Sequence, residues 1–335
     1  MNKISVGISG IGSYVPEKII TNDDLSKIVD TNDEWIVTRT GIRERRIADD
    51  KTATSDLATE AGKRALLDAG IDASELDLII VATATPDHAF PSTAAIVQKN
   101  VGASKAAAFD ISVGCSGFVY GMVTGSAFIS SGIYKKVMII GAETLSKIVD
   151  WTDRNTCVLF GDGAGACILE SCDESFGILS SELGSDGVNG EVLILPAGGS
   201  RMPSTEETLR DKLNTIKMDG KEVFKFAVRV IEKSSLSVLD SAGLDIEELD
   251  FLVPHQANTR IIDAAMKKLK LNKDKIHINL DKYGNMSAAS IPVALDEAVR
   301  ENRIKKGDNV LLIAFGAGLS WASTIIRWNK EAKNV

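Results

Sequence analysis

Apolar positions along the chain fall into two patterns. Short unbroken runs at Leu78–Val81, Val137–Ile140, Phe251–Val253 and Val310–Phe315 have the length and composition of strands covered on both faces. Between them lie longer stretches, Ser55 to Ala69, Phe118 to Ser130 and Phe226 to Ala242, that read as helices, the second of them a buried one of small and apolar residues. Alternation of the two predicts an α/β fold with mostly parallel strand pairing. No run is long enough to span a bilayer.

The pattern also repeats. Ala69-Gly70-Ile71-Asp72-Ala73-Ser74-Glu75-Leu76-Asp77 and Ala242-Gly243-Leu244-Asp245-Ile246-Glu247-Glu248-Leu249-Asp250 agree at six of nine positions, an offset of 173 residues. Each copy follows a helix-like stretch and precedes a strand-like run, and the same offset lays Val137–Ile140 on Val310–Ile313. Two α/β halves are expected, residues 1–172 and 173–335, with two sheets back to back and shared helices between them. Ligand sites then fall where strands end, at the seam. Ser171 to Val188 reads as the loop that carries the crossover.

Composition narrows the function. The 335 residues are 44% hydrophobic and 25% charged, an ordinary globular balance. A net charge of −8 argues against a nucleic-acid partner. Four cysteines, none in C-x-x-C spacing, point to a reducing compartment and neither a disulfide scaffold nor a zinc site. The N-terminal MNKISVGISG lacks a signal peptide's apolar core, so a cytoplasmic protein is expected.

Glycine-rich stretches come first among candidate motifs. Gly7-Ile8-Ser9-Gly10-Ile11-Gly12 fails as a dinucleotide fingerprint, because Val15 and Pro16 stand where a third glycine and a helix belong. Gly161-Asp162-Gly163-Ala164-Gly165 has no Lys-Ser/Thr pair and reads as a tight turn with close packing.

Cys115 differs from the other cysteines. It stands in Val113-Gly114-Cys115-Ser116-Gly117, between the strand-like Ala106–Ile111 and the buried helix. Strand, glycine-flanked turn and helix is the arrangement that presents a nucleophile. A helix N-terminus there would lower the thiol's pKa and hold an oxyanion. The local alternative is a small buried hydrophobe.

Of three histidines, His88 lies in a loop, His277 alternates like an exposed strand residue, and His255 directly follows the second repeat's strand. Asn285 starts a small-residue helix, roughly where Cys115 stands in the first half; alone it would read as a helix N-cap. Pseudo-symmetry brings Cys115, His255 and Asn285 to one seam. Metal ligation is not expected, since no histidine pair has ligand spacing. Phe315-Gly316-Ala317-Gly318 can turn backbone amides toward a carbonyl oxygen. Arg43-Glu44-Arg45-Arg46, with Trp35 and Arg39 before it, suits a nucleotide base and phosphates or a solvated charged face.

Together these motifs resemble one family. Gly114-Cys115-Ser116-Gly117-Phe118, Pro254-His255-Gln256-Ala257-Asn258 and Gly284-Asn285-Met286-Ser287-Ala288-Ala289-Ser290 are similar to the Cys, His and Asn motifs of the β-ketoacyl-acyl-carrier-protein synthase III family of thiolase-fold condensing enzymes. Asp33-Glu34-Trp35-Ile36, Arg39 to Arg45 and Phe160 to Gly165 belong to the same likeness, which runs from Ile4 to Trp328.

The resemblance implies a five-layered αβαβα thiolase-like fold, a homodimer, and the first condensation of type II fatty acid synthesis. By it, Cys115 carries the acyl group, His255 and Asn285 are its partners, and the amides of Cys115 and Ala317 form the oxyanion hole. Trp35, Arg39, Arg154 and Asn258 contact CoA. Phe90, reached across the dimer, and Phe224 line the acyl pocket. Gln256, Ala257, Asn258, Thr259 and Arg260 bind an acidic acyl carrier protein, with Lys267 and Lys268 as further cations. Acyl-CoA is a substrate, and no cofactor is implied. Ala317 stands where some members carry glycine and is expected to keep an ordinary φ. Three other readings are a polyketide-type starter synthase or related CoA-dependent condensing enzyme, a cysteine hydrolase of thioesters, and a non-catalytic acyl-CoA-binding protein.

Overall fold

A computed structural model describes residues 4–331; residues 1–3 and 332–335, the outer ends of the two expected halves, lie outside the described residues. In chain order the principal elements are β1 (Val6–Tyr14), α1 (Asp33–Thr40), α2 (Thr54–Ala69), β2 (Leu78–Ala82), α3 (Thr93–Val101), β3 (Ala107–Ile111), α4 (Gly117–Ser130), β4 (Lys136–Thr144) and β5 (Asp162–Ser171). There follow β6 (Gly177–Ser185), α5 (Gly220–Ala242), β7 (Phe251–Pro254), α6 (Thr259–Leu269), α7 (Ser290–Arg300), β8 (Asn309–Gly316) and β9 (Ser320–Arg327).

The strands form a five-stranded sheet, ordered β1-β5-β4-β2-β3, and a four-stranded sheet, ordered β7-β8-β9-β6. The repeat survives as register. Leu78 on β2 pairs with Val137 on β4, and Phe251 on β7 pairs with Val310 on β8, both parallel. Among the described residues the second sheet has no equivalent of β3; Ile276 supplies one isolated parallel bridge to Leu252. Pairing is mixed rather than mostly parallel, because β5 and β9 return antiparallel beside β4 and β8. In both repeats the helix stops at a glycine with left-handed φ, 71° at Gly70 and 69° at Gly243, a backbone state that costs glycine nothing.

Apolar faces sort these elements into five layers. Leu57, Ala61 and Ala65 of α2 and Val97 of α3 cover the outer face of the first sheet with Ile79, Val81 and Ile140. Between the sheets lie α4 and α7, where Phe118, Met122, Ile291 and Leu295 pack against strands of both. Val230, Ile231 and Val238 of α5 and Ile262 and Met266 of α6 cover the outer face of the second sheet. No helix among the described residues is long and apolar enough to cross a membrane.

Two expected loops are strands. The glycine-rich Asp162–Gly165 opens β5 rather than making a turn. Gly161, just before it, lets two segments cross: a Cβ there would lie 2.3 Å from the Tyr283 carbonyl oxygen. Ser171–Val188 contains β6, whose polar alternation hides a strand held by eight paired positions on β9.

Candidate active site

Cys115 sits in one 3-10 turn, Gly114–Ser116, between the end of β3 and the first residue of α4. It is 8% exposed. The end of β8 packs directly on it: a Cβ at Gly316 would lie 2.7 Å from the Cys115 Cβ and 2.9 Å from Sγ. The Ser320 hydroxyl ties the two segments, 2.8 Å from the Ala317 carbonyl and 3.1 Å from the Ser116 hydroxyl. The amides of Cys115 and Ala317 favour the charged form of the sulfur. Ala317 avoids the left-handed region, as expected.

The expected low thiol pKa is not found. Burial pushes the Cys115 thiol up to about 12, and the Glu143 carboxylate pushes the same way. The Ser287 hydroxyl and the two amides oppose them without prevailing. Desolvation of a thiolate in a closed site outweighs a helix terminus.

His255 continues β7, its amide donating to the Ile313 carbonyl at 2.8 Å. Its ring meets Phe315 edge-on, centroids 5.3 Å apart. Burial lowers its pKa to about 3, so the imidazole is neutral. Asn285 is held by its backbone between Leu159 and Gly161, donating to Leu159 at 2.8 Å and accepting from Gly161 at 3.0 Å. Its side-chain Oδ1 accepts the Ser287 amide at 2.8 Å. That bond orients the carboxamide and leaves its N–H groups as donors.

Cys115, His255, Asn285 and Ala317 line one cavity of about 220 Å³, walled by Leu145, Ile148, Leu159, Ile216, Met218 and Phe224. The aliphatic wall from Leu193 to Met218 had no signature in the sequence, because it comes from short strands and loops with no periodicity. Leu159, Met218, Phe224 and Asn258 also line a second, more polar cavity that reaches Trp35, Arg39, Arg154 and Arg260. The guanidinium carbons of Arg39 and Arg154 lie 4.7 and 5.2 Å from the Trp35 ring centre. Asn258 caps α6 and donates to the Arg39 carbonyl at 3.0 Å. The second cavity therefore forms the mouth of the first.

Several expected positions stand elsewhere. Gln256 is 0% exposed, its amide bonded to the Pro254 and His277 carbonyls, and cannot touch a partner. Ala257, Asn258 and Thr259 are half-buried and Arg260 is exposed. Lys268 is paired with Glu232. Phe90 is 87% exposed and does not line the cavity of its own chain. Arg45 leaves the nucleotide cluster: it is buried, bonded to the carbonyls of Ile20 and Val158 and to Asn22. His277 is buried too, accepting from Arg303 at 3.1 Å and donating to Glu297 at 3.2 Å. Among the described residues, no three His, Cys, Asp or Glu side chains could hold a metal ion. Glu143 and Ser287, both beside the sulfur, escaped sequence reasoning. Glu143 ends an apolar strand, and Ser287 looks like helix-start filler.

Residues 109–187 match the family model 3-oxoacyl-[acyl-carrier-protein (ACP)] synthase III, and residues 239–328 match its C-terminal counterpart. The β-ketoacyl-[acyl-carrier-protein] synthase III of Caldanaerobacter subterraneus subsp. tengcongensis is 63% identical over 98% of this chain and 99% of that protein. The crystal structure of 3-oxoacyl-[acyl-carrier-protein] synthase III from Aquifex aeolicus superposes with a TM-score of 0.89 at 47% identity, covering 96% of this chain and 100% of that one. The priming β-ketosynthase of the R1128 polyketide pathway gives 0.90 at 33% identity, covering 98% and 97%. The chain belongs to the β-ketoacyl-[acyl-carrier-protein] synthase III family.

Proposed function

We propose that this chain performs the initiating condensation of type II fatty acid synthesis, joining a short acyl group from acyl-CoA to a malonyl unit on acyl carrier protein. The observation that carries this reading is one apolar cavity holding Cys115, His255 and Asn285, with Trp35 and Arg154 at its mouth. The Cys115 sulfur attacks the acyl-CoA thioester, and the amides of Cys115 and Ala317 bind the tetrahedral oxyanion. CoA leaves, and an acyl-enzyme remains. Malonyl-acyl carrier protein then loses CO2. Neutral His255 and the Asn285 carboxamide donate hydrogen bonds to the enolate oxygen. The enolate carbon attacks the acyl-Cys carbonyl, releasing a 3-oxoacyl thioester and free Cys115.

Trp35 offers its face to the CoA adenine beside Arg154, with Arg39 and Asn258 near the phosphates. Phe224 borders the acyl end. The start of α6, with exposed Arg260 beside Ala257, Asn258 and Thr259, suits an acidic carrier protein. A homodimer would give the exposed Phe90 a place in its partner's acyl pocket. Residues 1–172 and 173–335 serve in this reading as nucleophile-bearing and donor-bearing halves.

Intact-mass analysis after incubation with a panel of short acyl-CoAs tests the reading. An added acyl mass on Cys115, discharged by malonyl-acyl carrier protein to a 3-oxoacyl product, is expected. Turnover with malonyl-CoA but not with the carrier-bound form would favour a CoA-dependent relative, and acyl-CoA consumption without carbon–carbon bond formation a hydrolase.

A further inference from the structure

The chemistry above leaves one proton without an owner. Cys115 is a thiol that burial keeps protonated. It must give up its proton on bonding to the acyl carbon and regain one when the product departs. His255 is a poor acceptor, because burial disfavours its imidazolium, and the next step needs it as an N–H donor.

Glu143, at the end of β4, is wholly buried. One carboxylate oxygen accepts from the Thr85 hydroxyl at 2.7 Å and the Thr83 hydroxyl at 3.3 Å, and the Ala84 amide reaches both oxygens at 3.2 and 3.1 Å. Ser287 stands on the other side. Its φ is +47°, a conformation costly for a side chain other than glycine, and its amide is pinned to Asn285 Oδ1. So held, Ser287 lines the cavity beside Cys115, and its hydroxyl favours the charged forms of both the Cys115 thiol and the Glu143 carboxyl. Cys115 is the titratable group that faces Glu143 here; Thr83, Thr85 and Ser287 are neutral.

We propose that Glu143 takes the Cys115 proton through the Ser287 hydroxyl as the acyl group is loaded, holds it while the acyl-enzyme lives, and returns it when the C–S bond breaks. The inference rests on the reading of Cys115 as nucleophile. In loading, the S–H proton passes to the Ser287 oxygen while the Ser287 proton passes to Glu143. Sulfur bonds to the acyl carbon, the C–S bond to CoA breaks, and the CoA thiolate takes a proton from solvent. In condensation the enolate carbon displaces sulfur, and the proton retraces its path. The pair then carries one negative charge before loading, none in the acyl-enzyme and never two, which a dry site would tolerate poorly. Burial holds the Glu143 carboxyl at about 7, suited to taking and giving a proton near neutrality.

The test is acyl-Cys115 formation from acetyl-CoA, without carrier protein, followed by rapid quench and intact mass. Glu143→Gln should load at least about tenfold more slowly at pH 7 and lose the ionisation near pH 7 from its rate profile. Glu143→Asp should restore part of both, and Ser287→Ala should behave like Glu143→Gln, with affinity for CoA unchanged. Loading at the unaltered rate and pH profile in both Glu143→Gln and Ser287→Ala overturns the proposal. A measurement on the unaltered protein stands beside this in case the variants do not fold. At pH 8 in weak buffer with an indicator dye, loading should be accompanied by an uptake approaching one proton per acyl group that lasts as long as the acyl-enzyme. Zero uptake overturns the proposal while leaving Cys115 in place. Acylation of a different residue would overturn the nucleophile assignment and this inference with it.

Discussion

In the first sheet β2 runs out into Thr83-Ala84-Thr85, which wrap a buried carboxylate. In the second, the matching β7 runs out into His255, a buried neutral donor. The neighbouring strands differ in the same way. By the repeat's offset Glu143 on β4 falls on Gly316 on β8. Gly316 leaves the space that the Cys115 side chain fills; Glu143 fills its own with a carboxyl facing Ser287 and Ala288. Preserved register therefore does not preserve chemistry. The repeat supplies two equivalent pairs of strand ends; one closes on Glu143 and the threonines around it, the other on His255 and the space left at Gly316.

The largest expected effect separates these roles. Cys115→Ala should abolish the acyl-enzyme and lower condensation by more than about 10³-fold, while malonyl-acyl carrier protein still loses CO2 on the donors. Intact mass and CO2 release measure the two. Loss of both activities together would break the division of labour. The converse follows from the other sheet. His255→Ala and Asn285→Ala should each slow decarboxylation by about 10²–10³-fold, the usual worth of a preorganised donor, and leave acyl loading within a few-fold.

Gly316→Ala sharpens the contrast at a single atom. The new Cβ would collide with Cys115, so sulfur or strand must move. Loading should fall about ten- to a hundredfold, since small misplacements of reacting groups are costly, and the fold should lose about 1–3 kcal/mol, read by denaturant unfolding. Smaller again is Arg260→Glu. It should raise KM for malonyl-acyl carrier protein several-fold, with strong salt dependence, and spare acyl loading.

What the sequence disclosed, and what it hid, follows from how far each signal extends along the chain. The repeat, the four buried runs and the strand–turn–helix around Cys115 are local patterns, and the structure keeps them. The convergence of His255 and Asn285 on Cys115 needed the symmetry argument, since these residues lie more than a hundred positions away. Strand β6 was hidden because its pairing with β9, not its own polarity, makes it a strand. Gln256 and Arg45 looked like surface polars, but each satisfies buried carbonyls, a role decided by segments distant in sequence. Glu143 is the instructive omission. An acid closing an apolar strand reads as the point where the chain meets water, and only the turn at Ser287 shows that it never does.

The last prediction concerns stability, where the same two residues pull in opposite directions. Burial raises the Glu143 carboxyl from 4.5 to about 7. Between those values the folded chain binds more protons than the unfolded one, so this group's contribution to stability falls as pH rises through that window. His255 is lowered from 6.5 to about 3. There the unfolded chain binds more protons, and stability rises with pH through that range. From about pH 4.5 to 6.5 the two slopes oppose each other. Glu143→Gln removes one of them. Compared with the unaltered chain, the variant should gain stability as pH is raised from 5 to 8, by up to about 3 kcal/mol at ~1.4 kcal/mol per pKa unit. Urea unfolding at the two pH values measures the gain. A variant whose stability follows the unaltered chain at both would mean that Glu143 does not stay buried when it ionises. The two strand ends would then differ less in dryness than their side chains imply.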